Sequence, residues 1–180
     1  MSRLTVYAED APGAAMIDTR EPPEITRVLR NVGIRWERWT AAVPLAPGAG
    51  QAEVLAAYRA EVERLSAEGG YVSADVVRMA PDHPDRVAIR QKFLAEHTHS
   101  DDEVRFFVEG AGLFCFHIDG KVLQLLAEAG DLVSVPAGTR HWFDTGPAPS
   151  FAAIRLFVSP AGWVANYTGS AIASSFPLHE

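Results

Sequence analysis

The second half of the chain constrains the fold more than any other feature of the sequence. From Glu103 to Val158 it consists of short runs rich in Val, Phe, Leu and Ile, which are separated by Gly, Asp and Pro. The runs are VRFFVEG, GLFCFHID, KVLQLLAEAG, DLVSV, RHWFDT and SFAAIRLFV, and turn signals lie at EGAG, HIDGK, EAGD, PAG and GPAPS. The pattern predicts an antiparallel β array. Such an array closes best as a barrel or a two-sheet jelly roll, because few strand edges then stay exposed.

The first half of the chain predicts mainly helices. QAEVLAAYRAEVERLSAEGG places apolar residues at helical spacing and ends in two glycines that suit a helix C-terminus. Prolines before and a glycine after predict a short helix from about Glu24 to Asn31, and DRVAIRQKFLAEH predicts a third helix. Strands are predicted at LTVYAE (4–9) and RWERWT (35–40), and a loop at PLAPGAG. We expect the helices to cover one side of the β array.

The chain length fits one domain. At 180 residues a single hydrophobic core is sufficient. We therefore expect one domain over residues 1–180, with a helical part at about 20–95 and the barrel at about 96–160.

Charge and composition exclude several classes of partner. Lys and Arg number 16 against 23 Asp and Glu, the net charge is -7, and the basic residues form no cluster that could neutralise phosphates, so we expect no nucleic acid. No apolar run is long enough to span a bilayer, so we expect no membrane partner. The N-terminal residues MSRLTVYAEDAPG lack the apolar stretch of a secretory signal, and Cys115 has no second cysteine to pair with. We expect a cytoplasmic protein, and we expect it to be a monomer.

The segment EHTHSDDEVRFF carries the first candidate for chemistry. On an extended chain His97 and His99 point to the same face, and Glu103 needs only a short bend to join them. Two imidazoles and one carboxylate on one side of a metal leave open positions opposite, as in non-haem Fe(II) oxygen chemistry. Exposed histidines in a polar loop would give the same pattern without a metal.

A second segment strengthens the metal interpretation. GDLVSVPAGTRHWF places His141 at the start of a strand after a Pro-Ala-Gly turn, where it could supply a fourth ligand. Together the spacings are His97-x-His99-x3-Glu103-x6-Gly110 and Gly130-x5-Pro136-x-Gly138-x2-His141. These resemble the two motifs of the cupin superfamily, except that Gln91 replaces a usual glycine and Thr145 a usual asparagine. The resemblance implies a mainly β fold, a cupin-type jelly-roll barrel with a few N-terminal helices packed on the outside.

Within that superfamily the chain is most similar to the acireductone dioxygenases. The resemblance is carried by EHTHSDDEVRFFVEGAGLF, GDLVSVPAGTRHWFD and AIRLFVSPAGWVANYTG. It implies that His97, His99, Glu103 and His141 bind one Fe(II) or Ni(II) per chain. It also implies a methionine-salvage enzyme that cleaves 1,2-dihydroxy-5-(methylthio)pent-1-en-3-one with O2. The products would be 4-methylthio-2-oxobutanoate and formate with iron, or 3-(methylthio)propanoate, formate and CO with nickel, and the sequence does not choose between the metals.

Two arginines are candidates for stabilising an anionic substrate. Arg105 has the same strand parity as Glu103, so it would face the cavity and act as the catalytic cation; the alternative is a surface ion pair with Asp101 or Asp102. Arg155 lies among apolar residues in SFAAIRLFV, and it either lines the cavity as a second cation or extends outward to solvent.

Aromatic residues are candidates for the pocket around the thioether tail. Phe107 and Phe143 share parity with the expected ligands, and Phe93 and Trp163 lie near the same motifs; the alternative for each is ordinary core packing.

The other polar residues admit simpler interpretations. Glu96 could act as a base or hold the second nitrogen of a ligand histidine, or it could be a solvated carboxylate. His117, at the end of a predicted strand, is expected to be exposed, as are His83 and His179. Cys115 lies among apolar residues and is expected to be buried and unreactive.

Other functions remain compatible with a cupin site. They are an isomerase that uses Zn(II), a dioxygenase that acts on a different enediol, and a non-catalytic module that binds a small anion. Dependence on dioxygen would separate the isomerase from the dioxygenases.

Overall fold

The computed structural model of the 180-residue chain describes residues 1–39, 45–46, 48–159 and 163–180. Its helices are α1 (Pro22–Asn31), α2 (Gln51–Ala57), α3 (Arg59–Gly69) and α4 (Arg86–Leu94), followed near the end by a 3-10 turn at Ile172–Ser175. Its strands are β1 (Arg3–Ala8), β2 (Ala15–Thr19), β3 (Arg35–Arg38), β4 (Ser73–Met79), β5 (His97–Thr98), β6 (Glu103–Ile118), β7 (Lys121–Glu128), β8 (Asp131–Val135), β9 (Arg140–Asp144), β10 (Phe151–Phe157) and β11 (Asn166–Tyr167).

Two antiparallel sheets share one strand. The first sheet has the order β2-β1-β7-β6-β9-β5-β11, and the second has the order β3-β8-β6-β10-β4. Residues 103–106 of β6 pair with β8 in the second sheet, whereas residues 111–118 pair with β7 in the first. The antiparallel array predicted from the sequence is confirmed.

The turn predicted at EGAG is wrong, because β6 continues through it. Gly110 adopts a left-handed conformation with φ of 68° and bends the strand where it leaves one sheet for the other. A Cβ atom at this position would lie 1.7 Å from the carbonyl oxygen of Ser150. Only glycine fits the bend, so the signal read as a turn marks a corner inside one strand.

The space between the sheets is filled by aromatic and aliphatic side chains. Phe114 packs against Phe143 with ring centroids 4.7 Å apart, and both side chains are buried. Further members of this core are Phe107, Phe116, Phe151, Leu123, Leu125 and Val133. At about 1.5–3 kcal/mol for each fully buried side chain, this interior is a main source of stability.

The helices pack on the outside of the sheets, as predicted. α1 contributes Ile25 and Leu29 to the core, and α1 contacts β3. Val54 of α2 and Leu65 of α3 pack against the outer face of the second sheet, in a cluster that includes Phe106. None of the helices in the described part of the chain is long and apolar enough to cross a membrane.

The boundaries of α1 and α4 differ from the prediction by a few residues, and one predicted helix is divided in two. The helix expected over the whole QAEVLAAYRAEVERLSAEGG segment is two helices, because Tyr58 leaves the helical conformation with φ of -106° and ψ of 22°. Its ring packs edge-on against Phe106 at 4.9 Å, so the residue at the break is anchored to the second sheet. Of the predicted loop PLAPGAG, residues 44 and 47 lie outside the described part, as does residue 40 of RWERWT.

Candidate metal centre

Four buried side chains converge at one end of the barrel. Candidate ligand atoms of His97, His99, Glu103 and His141 all lie within 4.8 Å of one another. β5 pairs with β9 so that His97 stands directly opposite His141, and Glu103 is the first residue of β6. The Glu103 Oε2 atom lies 3.0 Å from His99 Nε2 and 3.1 Å from His141 Nε2. The structure therefore brings together the four residues that the two motifs singled out.

The other ring nitrogen of each histidine is held by a backbone carbonyl. The Nδ1 atoms of His97, His99 and His141 lie 2.7, 2.9 and 2.8 Å from the carbonyl oxygens of residues 95, 164 and 139. A carbonyl only accepts hydrogen bonds, so each Nδ1 carries the proton, and Nε2 of the neutral ring keeps its lone pair. Three such lone pairs and a carboxylate face one another, an arrangement that a bound cation stabilises. The donor set thus fits a divalent metal ion.

Burial and charge set the protonation of these groups. Burial lowers the pKa of His97 to about 4, which keeps this ring neutral near pH 7. Burial alone would raise the pKa of Glu103, but the Arg105 guanidinium helps to hold it well below its usual range. Burial likewise lowers the pKa of His99, but the hydrogen bonds to Glu103 and to the Val164 carbonyl, together with the charge of Glu103, outweigh burial and the net shift is upward. A proton and a metal ion therefore compete for the same nitrogen of His99.

A cavity of about 150 Å³ opens beside the four residues. Its walls include five residues that the sequence predicted for substrate contact or catalysis, which are Phe93, Arg105, Phe143, Arg155 and Trp163. Lys92, Ala165 and Tyr167 also line it, although sequence reasoning did not single them out. Phe107 does not line the cavity, because it is buried in the core behind Phe143, with ring centroids 6.2 Å apart.

Arg105 lies inside the site and not on the surface. Its Nε atom is 2.7 Å from Glu103 Oε1, and the side chain is buried. Four aromatic rings surround the guanidinium, with Cζ to ring-centroid distances of 4.9 Å for Phe143, 5.5 Å for Phe114, 5.5 Å for Trp163 and 5.9 Å for Phe93. The surface ion pair with Asp101 or Asp102 is therefore wrong, and the parity argument gives the observed position.

Arg155 reaches the cavity wall with its charge already paired. Its Nε and second terminal nitrogen lie 2.8 and 2.6 Å from the two carboxylate oxygens of Asp75. Asp75 stands directly opposite Arg155 because β4 pairs with β10. Sequence reasoning missed Asp75, since β4 was not predicted and the pairing joins distant parts of the chain.

Two predictions about exposed residues are wrong. His117 is only 7% exposed, and its Nδ1 and Nε2 atoms lie 2.7 and 2.8 Å from carboxylate oxygens of Glu96 and Glu9. Glu96 is 1% exposed and so is not a solvated carboxylate. The nitrogen that Glu96 binds belongs to His117 and not to one of the four converging residues.

The remaining polar predictions have mixed outcomes. Cys115 is buried, which raises the pKa of its thiol, as expected for an unreactive cysteine. His83 is half-buried in its loop. His179 is not at a frayed end, because its backbone N–H donates to Asp144 at 2.9 Å and its carbonyl accepts from Arg90.

Comparison with known proteins identifies the family. The model of the ARD/ARD' family matches residues 3–165. The chain belongs to this family. It is 57% identical over 180 residues to the acireductone dioxygenase of Parvibaculum lavamentivorans, a match that covers 100% of this chain and 98% of the relative. It is 54% identical over 179 residues to the acireductone dioxygenase of Synechococcus sp., with 99% of each chain covered.

A solved structure of the ARD/ARD' family has the same fold. The acireductone dioxygenase from Bacillus anthracis with cadmium ion in its active centre matches with a TM-score of 0.82 and 30% identity, over 93% of this chain and 98% of that one. The predicted cupin-type fold and the predicted family are therefore confirmed. As a member of the ARD/ARD' family the chain is an enzyme of the dioxygenase type, which disfavours the isomerase and the non-catalytic module. Its four converging residues form a site for a divalent metal ion.

Proposed function

We propose that the chain is an acireductone dioxygenase in which His97, His99, Glu103 and His141 bind one Fe(II) or Ni(II). The observation that carries the proposal is the buried three-histidine, one-carboxylate cluster beside a cavity, in a chain that aligns from end to end with its relatives. The substrate would be 1,2-dihydroxy-5-(methylthio)pent-1-en-3-one, with O2 as the second reactant. The metal would decide which products form: the keto acid and formate with iron, or the set that includes CO with nickel.

The bound metal would supply Lewis acidity that favours the deprotonated, electron-rich form of the enediol. The residues of the chain would supply charge, shape and exclusion of water. Arg105 is the proposed catalytic cation, because it is the buried positive charge beside Glu103 and lies in the cavity wall. Arginine has five N–H donors, so the ion pair with Glu103 leaves others for an oxyanion of the substrate.

The aromatic wall would hold the tail of the substrate. Phe93, Phe143 and Trp163 line the cavity and surround the guanidinium of Arg105, which separates it from water. A dry environment strengthens the attraction between that guanidinium and an anion. Arg155 is proposed as a substrate-binding residue whose bidentate pair with Asp75 fixes its position. Phe107 is proposed to contribute only indirectly, because its ring packs against Phe143 and not against the cavity.

We also propose that the reaction serves methionine salvage and takes place in the cytoplasm. Support for the pathway is the methylthio tail of the proposed substrate, which retains the sulfur of methionine. A single buried cysteine suits a reducing compartment. The monomeric state remains a prediction.

The test is product analysis after separate reconstitution with Fe(II) and with Ni(II) under oxygen. We expect about one metal ion per chain and a different product set with each metal. His97→Ala and His141→Ala should each lower metal content and oxygen consumption, whereas His83→Ala, outside the site, should alter neither. Unchanged metal content and unchanged oxygen consumption in both ligand variants would overturn the proposal.

A further inference from the structure

Residues 163–168, which we call the C-terminal strap, cover one side of the metal centre. Trp163, Ala165 and Tyr167 of the strap line the cavity. The Val164 carbonyl accepts the hydrogen bond from His99 Nδ1 at 2.9 Å. The Tyr167 ring packs edge-on against the His97 ring at 5.9 Å, because β11 pairs with β5. The strap is therefore a wall of the cavity and also a support for two of the four converging side chains.

Trp163 packs against Phe157 with ring centroids 4.7 Å apart, but little apolar burial holds the rest of the strap in place. Val164 is 62% exposed and Tyr167 is 55% exposed, and Asn166 and Thr168 are exposed as well. A segment with so little buried surface depends on its hydrogen bonds to stay closed. Those bonds therefore decide whether the cavity is covered.

Glu96 binds the end of the strap with its backbone and its side chain. The Thr168 N–H donates to the Glu96 carbonyl at 3.0 Å, and the Thr168 hydroxyl donates to Glu96 Oε1 at 2.7 Å. The same hydroxyl accepts a hydrogen bond from the backbone N–H of Ser170 at 3.2 Å. Glu96 directly precedes His97, so the attachment point lies next to the metal centre.

The second carboxylate oxygen of Glu96 is held from the opposite side. His117 lies on β6, and its Nδ1 and Nε2 atoms lie 2.7 Å from Glu96 Oε2 and 2.8 Å from Glu9 Oε2. The buried carboxylate of Glu96 is thus held at both oxygens, by the His117 ring on one and by the Thr168 hydroxyl on the other. Because both oxygens are held by short hydrogen bonds of 2.7 Å, Glu96 is a rigid attachment point.

We propose that Glu96 and Thr168 are positioning residues that fasten the C-terminal strap over the metal centre. Loss of the side-chain bond between them opens the strap and uncovers the site, while the barrel stays folded. This proposal rests on the proposed function, because that function supplies the metal ion that the strap would cover. The strap and its hydrogen bonds to Glu96 do not depend on the metal.

The test compares Thr168→Val with Thr168→Ser in the metal-loaded protein. Valine keeps the size of the side chain and removes the donor, whereas serine restores the hydroxyl. We expect amide hydrogen exchange in residues 163–170 to rise about ten- to a hundredfold in the valine variant, as for loss of one hydrogen bond to a charged acceptor. Release of the metal to a chelator should accelerate in the same variant. Both rates should return toward wild type with serine.

A matched variant separates local opening from general loss of stability. Thr26→Val makes the same change on α1, at a half-buried site away from the strap, and should leave both rates unchanged. Wild-type exchange and chelator rates in Thr168→Val would overturn the proposal. So would an equal rise in exchange over all strands of the barrel, because that pattern reports global destabilisation.

Failure of the strap proposal is distinguishable from failure of the proposed function. Amide exchange needs no substrate and no turnover. If Thr168→Val shows local opening but the wild-type protein cleaves no acireductone, the strap proposal is supported and the proposed function is contradicted.

Discussion

At the metal centre, three backbone carbonyls fix which nitrogen of each histidine carries the proton. Those of residues 95 and 139 lie two positions before His97 and His141, so the local chain sets these two rings. The third belongs to Val164 of the strap, so the ring of His99 depends on a distant segment. The spacing of the motifs predicts which residues converge. It does not predict which backbone carbonyl binds the Nδ1 atom of each histidine, because the carbonyl that binds His99 lies far away in sequence.

Replacement of Arg105 tests its role as the anion-stabilising cation. Arg105→Lys keeps a positive charge but loses the planar fork and the extra donors. We expect kcat/KM with an acireductone to fall by about a hundredfold or more, as for removal of one donor to a developing oxyanion. Metal content should stay near one per chain. The control is Arg86→Lys on α4, outside the cavity lining, which should retain wild-type activity, and an unimpaired Arg105→Lys enzyme would contradict the assignment.

Lys92 provides a second test at the rim of the cavity. It lines the cavity, is exposed, and forms no ion pair within the described part of the chain. On a chain of net charge -7 such a cation should attract an anionic substrate. Lys92→Met should lower kcat/KM about two- to tenfold at low ionic strength, with less effect at high salt, where screening removes the attraction. Lys121→Met, at the exposed first residue of β7, serves as control, and a loss of kcat/KM that does not depend on salt would exclude steering.

At the level of the elements, β6 shows what a sequence pattern can and cannot predict. Both apolar runs within it were predicted as strands, because their composition is local information. Their continuity was not predicted, because the same glycines signal a turn or a corner until the contact with Ser150 is known. The pair of Asp75 with Arg155 and that of Glu96 with His117 were missed for the same reason, since each joins elements that are distant in sequence.

Two glycine variants distinguish two costs of adding a side chain at the Gly110 corner: the steric contact with Ser150 and the left-handed backbone conformation. Gly110 and Gly120 have nearly equal φ angles, 68° and 69°, but an added Cβ meets Ser150 only at Gly110 and has open space at Gly120. We expect Gly120→Ala to cost about 1 kcal/mol and Gly110→Ala at least about 3 kcal/mol of unfolding free energy. Urea unfolding monitored by circular dichroism measures both values. Equal losses would mean that the close approach of Ser150 has no energetic weight.

At the level of the whole molecule, one carboxylate joins the helical layer, the barrel and the C-terminal end. Asp144, at the end of β9, receives both an N–H of Arg90 at 2.6 Å and the backbone N–H of His179 at 2.9 Å. Burial would raise the pKa of Asp144, but Arg90 and the backbone donors outweigh this and the net shift is downward. Removal of the charge should loosen α4 and the C-terminal residues together.

The sign of the pKa shift fixes how this contribution depends on pH. Because the pKa of Asp144 is lowered in the folded state, its stabilisation is present above the ordinary aspartate pKa and disappears as the pH falls through the folded value. Asp144→Asn should therefore cost about 3 kcal/mol near pH 7, and the difference from wild type should shrink in acid. Thermal unfolding of both proteins at several pH values measures this. A difference that stays constant down to pH 3 would contradict the assignment.

The pairing of strands that are distant in sequence also affects how the chain can fold during its synthesis. β1 can pair with β2 as soon as both have emerged from the ribosome, but its other edge waits for β7, where Arg3 pairs with Leu126. At the usual rates of translation that wait lasts about ten seconds, during which Leu4 and Val6, buried in the finished protein, have no core to enter. A long-range architecture of this kind folds late and slowly. The nascent chain is therefore most exposed to aggregation before the barrel strands are complete.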